Sequence, residues 1–238
     1  SPNIALLSLY DGMPHKCSEC AIRFNDVNLL IESTYNFKAI QNEFAVAANV
    51  IATNNIRCST HPDQFVVPAS ANPDVAAKSV VELSMHGKMM DMFGLSQDYN
   101  SPINIHMNCF KGDDIKTIAK RFIDVYNTLP TNVKNRLVLE NEDKPNSWNV
   151  QQLYDNIYQQ VGIPITYDNL HHKCNPGKLT SMQAYELAKS TWPKNVIPLF
   201  HFSDSDSNNT NPRAHADYVQ SLPVEYNNTD SIDLELEF

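Results

Sequence analysis

Short apolar, β-branched runs alternate along this chain with longer stretches of helical period. Residues 4–10 predict a strand, and residues 35–53 predict a helix with Phe37, Ile40, Phe44, Ala47 and Ile51 at three- and four-residue steps. Residues 56–60 predict a short strand, followed by a helix over 73–93 that Pro73 opens and Gly94 stops. The alternation continues with strands at 103–105, 137–139, 163–167 and 196–200, and a closing strand at 234–236. Between them lie predicted helices at 113–129, 150–161 and 181–189, and a short one at 213–222. The region 11–33 carries the weakest pattern; its strand is expected at 21–25. The polar stretch 203–211 is expected to be an exposed loop.

Repeated strand–helix units without a linker or low-complexity break predict one α/β domain over residues 1–238. Seven or eight strands in this length fit a TIM (β/α)8-type barrel with a shortened or irregular N-terminal part. A doubly wound open sheet is the alternative.

Composition narrows the class. No apolar run approaches the roughly 18–20 residues that span a bilayer, so no membrane association is expected. The first residues, Ser1-Pro2-Asn3, lack a secretory pattern. Five scattered cysteines read as reduced thiols, which predicts a cytoplasmic protein (bacterial, viral or phage-type, nuclear if eukaryotic), and a monomer is expected. Cys17 and Cys20 form one CxxC pair with no second pair to complete a zinc site. With 18 basic and 27 acidic residues the formal charge is −9, so no global positive field draws in nucleic acid.

The chemistry lies at the strand ends. His61, His106, Glu140, Asp168 and His201 each directly follow a predicted strand, and Glu235 sits within the last one. In a barrel those ends converge on one face, where active sites of this fold are built. His171 follows Asp168 by three residues, and His215 opens the element after the polar loop. Five of the eight histidines share this placement, whereas His86 lies mid-helix and reads as packing. Eight N/O donors suit two or three divalent ions of the Zn²⁺ or Mn²⁺ type. Ions about 3.5–4 Å apart hydrolyse phosphate esters, although a similar pair could hold sugar hydroxyls during isomerisation.

Six motifs in order separate these readings. They are Ser59-Thr60-His61-Pro62-Asp63-Gln64-Phe65-Val66-Val67, Asn104-Ile105-His106, Leu137-Val138-Leu139-Glu140-Asn141, Tyr167-Asp168 with His171-His172, Phe200-His201-Phe202-Ser203, and Arg213-Ala214-His215-Ala216-Asp217-Tyr218. From about residue 56 onward the chain resembles the UV damage endonuclease family, which is similar in fold to endonuclease IV. The resemblance implies a metal-dependent DNA repair endonuclease that hydrolyses the backbone 5′ to a lesion in double-stranded DNA. It implies two or three divalent ions, Mn²⁺ first and Zn²⁺ or Mg²⁺ after it. They would be held by His61, His106, Glu140, Asp168, His171, His201, His215 and Glu235, with Glu140, Glu235, His106 and His201 carrying the catalysis. Gln64 and Phe65 match the pair that the family inserts into the duplex.

Lys111, Lys173 and Arg213 are candidates for phosphate contact, all expected on loops after strands. The chain departs from the family at Leu199, where a lysine is common two residues before the histidine. A basic residue that usually follows the last glutamate's motif is also missing after Glu235. The alternatives are a xylose-isomerase-like sugar isomerase or epimerase, and a relative that binds damaged DNA without cutting it. Two or three ions would return about +4 to +6 to the carboxylate-bearing face, so the net charge does not exclude DNA as substrate.

Overall fold

The computed structural model describes residues 6–10, 37–108, 113–226 and 232–237. The strand expected at 21–25, the Cys17–Cys20 pair and Lys111 lie outside the described residues. The chain divides into two compact units, one drawn from Ser1–Ile105 and Asp124–Leu137, the other from His106–Ile123 and Val138–Phe238.

In the first unit, β1 (Leu6–Tyr10) pairs in parallel with β2 (Arg57–His61), which pairs in parallel with β3 (Ile103–Ile105). Helix α1 (Phe37–Asn54) connects the first two strands, and α2 (Pro73–Met92) the second two. Asn72 caps α2 by accepting the Asp74 amide at 3.0 Å, and Pro73 occupies the first turn, where its missing N–H costs nothing. The helix stops as the pattern predicts, at Gly94 with φ 70°. Gly87 is required for a different reason: a Cβ there would lie 2.7 Å from Val133 Cγ2 of the short α4 (Thr131–Lys134).

Arg136 lies at the centre of that packing and is fully buried. Its guanidinium donates to the carbonyls of Gly87, Leu95, Ser96 and Asn132 and pairs with Asp91 at 2.7 Å. This is the condition under which an arginine can be buried, because each donor finds an acceptor.

In the second unit β4 (Leu137–Glu140, whose first residue belongs to the first unit) pairs in parallel with β5 (Ile165–Thr166). Strand β6 (Leu199–Phe202) pairs in parallel with β7 (Asp233–Leu236), setting His201 opposite Glu235. A parallel bridge between Asp168 and His201 joins the end of β5 to β6. The core behind these strands holds Tyr167, Tyr185, Phe200, Phe202 and Tyr226, whose paired rings meet edge-on or tilted with centroids 5.5–6.1 Å apart. Helix α3 (Ile115–Thr128) buries Ile118, Ala119 and Phe122.

Several expected boundaries move for identifiable reasons. Strand β5 keeps two of five expected residues, because Ile165 is bonded by side chains: its N–H donates to Thr191 Oγ1 and its carbonyl accepts from Trp192 Nε1. The helix expected over 150–161 forms as α5 (Val150–Leu153), a π-helical turn (Tyr154–Tyr158) and α6 (Gln159–Val161). Residues 169–174, expected as loop, form α7 (Asn169–Cys174), and α8 (Ser181–Ser190) follows as expected. The helix expected over 213–222 is not formed. Its amides are taken elsewhere: Ala216 donates to the Asp204 carbonyl, Gln220 to the Asp204 carboxylate, and Ser205 bridges His215 antiparallel. A 3₁₀ turn (Val224–Tyr226) forms instead.

Candidate metal centre

Seven of the eight expected ligands belong to the second unit, and most stand where strands end. Glu140 is the last residue of β4, and Asp168 caps α7 by accepting the His171 amide at 2.6 Å. That cap fixes the three-residue spacing: His171 sits on the first turn of a helix whose N-terminus Asp168 occupies. His201 lies inside β6 rather than after it, because the strand starts at Leu199 instead of 196.

These groups converge on Glu140, which is fully buried. Its Oε1 lies 2.9 Å from His171 Nδ1, and its Oε2 lies 3.1 Å from His201 Nδ1 and 3.6 Å from His106 Nε2. The His106 and His171 rings lie 5.5 Å apart, and those of His171 and His215 6.0 Å apart. Within the second unit three sets of donor atoms each fall within 4.8 Å of one another: His106–Glu140–His171, His171–His215–Glu237 and Glu140–Asp168–His171–Glu237.

Glu237 is the residue that sequence reasoning missed. Its Oε1 lies 2.8 Å from His201 Nδ1, whereas Glu235 comes only to 3.9 Å of His201 Nε2 and joins none of these sets. Side chains two apart on a strand share a face, so Glu235 and Glu237 were equivalent by pattern. The Glu237 amide, donating to the Phe202 carbonyl at 3.1 Å, carries the β7 pairing one step further and sets the second glutamate at the cluster.

The groups of this cluster shift one another strongly. Burial alone would raise Glu140, but His201 and His106 hold it well below the carboxylate range. Burial raises Asp168, with Glu140 and Glu237 adding to the rise against the pull of His171. Burial would lower His171 and His201; instead Asp168, Glu140 and Glu237 raise the first, and Glu140 and Glu237 the second. The carboxylates of the cluster therefore favour positive charge beside them, on the histidines or on a bound cation. Among the described residues Asp168 Oδ2 is buried with no hydrogen-bond partner. Imidazoles, crowded carboxylates and an orphaned buried oxygen together fit a divalent-ion site.

The backbone around the cluster is tied down. Asn141 accepts the Asp168 amide on Oδ1 at 2.9 Å and donates to the Asp168 carbonyl at 3.0 Å. The Asn141 carbonyl lies 3.0 Å from His171 Nδ1, which helps orient that ring. Leu199 is fully buried apolar surface in β6 and offers no donor.

His61 closes β2 in the first unit, with Nδ1 3.1 Å from its own Pro62 carbonyl. Two residues on, Asp63 accepts the Phe65 amide at 2.8 Å and its carbonyl accepts the Val66 amide, forming a tight turn. Val66 is buried, while Gln64 is exposed and Phe65 is 76% exposed. Lys173 is exposed on α7, not on a loop, and lines a groove of about 590 Å³ with Asp204, Asp206, Asp217 and Tyr218. Arg213 lies 3.7 Å from Asp143 and 3.3 Å from Asn211.

Parallel strands with helical connections, and a buried His/carboxylate cluster at the strand ends, define a protein of the TIM-barrel class with a candidate metal centre. The SacUVDE crystal structure is similar at a TM-score of 0.74 and 28% identity, over 87% of this chain and 69% of that one. The D-psicose 3-epimerase of Clostridium cellulolyticum H10 shares the fold at a TM-score of 0.57 and 12% identity, over 84% and 63%. The UV DNA damage endonuclease of Bacillus cereus (strain Q1) is 32% identical over 171 residues, 71% of this chain and 52% of that protein. The family model of UV-endonuclease UvdE matches residues 26–237, reaching further toward the N-terminus than the motifs from residue 56. The chain belongs to the UV-endonuclease UvdE family. It spans about half the length of the curated relatives it matches.

Proposed function

We propose that this chain is a metal-dependent DNA repair endonuclease, a single nuclease domain that cuts the phosphodiester backbone 5′ to UV-damaged or otherwise lesioned bases in duplex DNA. The observation that carries the chemistry is the buried cluster around Glu140, whose negative charge and orphaned Asp168 oxygen call for a cation. Family membership carries the substrate class. His106, Glu140, Asp168, His171, His201, His215 and Glu237 would hold two or three ions, Mn²⁺ first, with His61 and Glu235 as further candidates. When bound, such ions lower the pKa of water and neutralise phosphate charge, so the chain need not supply a nucleophile of its own.

The chain's residues position and exclude. Glu140 receives His171 and His201 on its two oxygens and so fixes both rings. Asn141 ties the loop after β4 to Asp168 and to the His171 ring. Complete burial of Glu140, Asp168 and His201 keeps bulk water from those donors. Gln64 and Phe65, presented on the turn after β2, would enter the duplex at the lesion, where an unstacked step costs least to open. Lys173 and Arg213 would contact phosphate, and Lys111 belongs to the same proposal. No helix among the described residues is long and apolar enough to cross a membrane; a monomer working in the cytoplasm completes the reading. The epimerase neighbour shares the fold alone and carries no argument for a sugar substrate.

The test is nicking of UV-irradiated supercoiled plasmid with Mn²⁺. Cleavage that requires irradiation and Mn²⁺ and disappears in Glu140→Gln supports the proposal. Equal nicking by wild type and variant overturns it. Binding of irradiated DNA without any nicking identifies a damage-binding relative that does not cut.

A further inference from the structure

The loop after β4 contains a buried carboxylate that the cluster does not use. Glu142 is 4% exposed and joins none of the donor sets among the described residues. Both of its oxygens are engaged by the protein: Oε1 accepts the backbone amide of Asn108 at 2.9 Å, and Oε2 is bonded to the Ser147 hydroxyl. Burying a carboxylate is costly, and hydrogen bonds to a charged acceptor are the strong kind. Such a group is best explained by what it holds in place.

It holds the chain just beyond His106. Asn108 has φ 50°, the left-handed region that a residue with a Cβ enters at a cost, and its amide is the one that Glu142 receives. The same loop grips α7 from its other side. Asn175 Nδ2 donates to the carbonyls of Glu142 and Ser147, and the Asn175 amide donates to the His171 carbonyl. The segment from Glu140 to Ser147 therefore connects the backbones that carry His106, Glu140 and His171.

We infer that Glu142 is a positioning residue: through the Asn108 amide it sets the left-handed turn that aims the His106 imidazole at Glu140. This rests on the metal-dependent reading of the cluster, but the geometry itself is a property of the metal-free chain. Outer groups that orient ligands are typically worth about 10–100-fold in metal affinity. Glu142→Gln keeps an acceptor for Asn108 and can donate to Ser147, so it should stay within about threefold of wild type. Glu142→Ala loses both bonds. Asn108→Gly accepts φ 50° without strain, whereas Asn108→Val does not.

The experiment has two arms, each on protein shown to be folded by circular dichroism. Calorimetric titration with Mn²⁺ should give about 10–100-fold weaker binding for Glu142→Ala and Asn108→Val, with Glu142→Gln and Asn108→Gly near wild type. In the metal-free proteins, the ring nitrogen and carbon shifts of His106 should move in Glu142→Ala and return in Glu142→Gln, while those of His86 stay fixed. If Glu142→Ala leaves the His106 shifts unchanged, the positioning role is overturned whatever the metal does. If wild type binds no Mn²⁺ yet the His106 shifts move as described, the positioning role stands and the metal-dependent reading fails.

Discussion

Arg136 in the first unit and Glu140 in the second are both completely buried charges, and their surroundings differ in kind. Arg136 is balanced: four carbonyls and Asp91 receive its donors, all supplied by the same unit. Glu140 shares its site with two more carboxylates, Asp168 and Glu237, and together they raise His171 and His201. A charge whose partners are complete serves the fold. Crowded carboxylates and histidines beside an unmatched buried oxygen are the arrangement expected of a binding site.

Glu140→Gln is the substitution that should separate the two kinds of burial most strongly. It removes charge at the point where three histidines meet, and Mn²⁺-dependent nicking of irradiated plasmid should fall by at least about 10³-fold, a rise of about 4 kcal/mol or more in the barrier. Arg136→Met should do the reverse. It strands the carbonyls of Gly87, Leu95, Ser96 and Asn132, so urea denaturation in chelator should show a loss of about 3–5 kcal/mol. Mn²⁺ affinity of the folded fraction should stay within about threefold, since no donor of the cluster is touched.

His86 adds a pH arm to the comparison on the first unit's side. Burial, helped by nearby His61, pushes its pKa down to about 4. The unfolded chain binds that proton near pH 6.5 and the folded chain does not until about pH 4. Stability should therefore be intact above pH 6.5 and erode by about 3 kcal/mol as pH falls toward 4, before levelling off. Denaturant titrations from pH 7 to 4 should show this slope, and His86→Leu should flatten it.

The smallest expected effect falls on an exposed residue. Phe65→Ala should change unfolding free energy by no more than about 0.5 kcal/mol. It should weaken binding to irradiated duplex by about 1–3 kcal/mol, the worth of one stacked base, with undamaged duplex little affected. Equal losses on both duplexes would remove the insertion role from the turn.

The parts of this contrast that were legible in the sequence are those fixed by local pattern. His106, Glu140 and Asp168 follow apolar runs directly, so a strand-counting argument places them at one end of their strands. Glu237 was not legible, because the alternation of Glu235 and Glu237 gives both the same face and only the depth of the β7 pairing chooses between them. Helix α7 was missed although Asp168, three residues before His171, carries a cap signature; its brevity hid it in a loop. The helix expected over 213–222 failed because its amides bond to Asp204 and its neighbours, a long-range competition that no window of sequence contains. Arg136 gave no local signal at all, since its acceptors come from residues 87–96 as well as from Asn132 in α4.

The most direct measurement is a Mn²⁺ titration of the intact chain followed by electron paramagnetic resonance and calorimetry. Wild type should bind at least two ions, with spin–spin coupling between them, and Glu140→Gln should lose both the coupling and the tight site. A wild-type protein that stays folded and takes up no Mn²⁺, Zn²⁺ or Mg²⁺ at millimolar concentration would contradict the account.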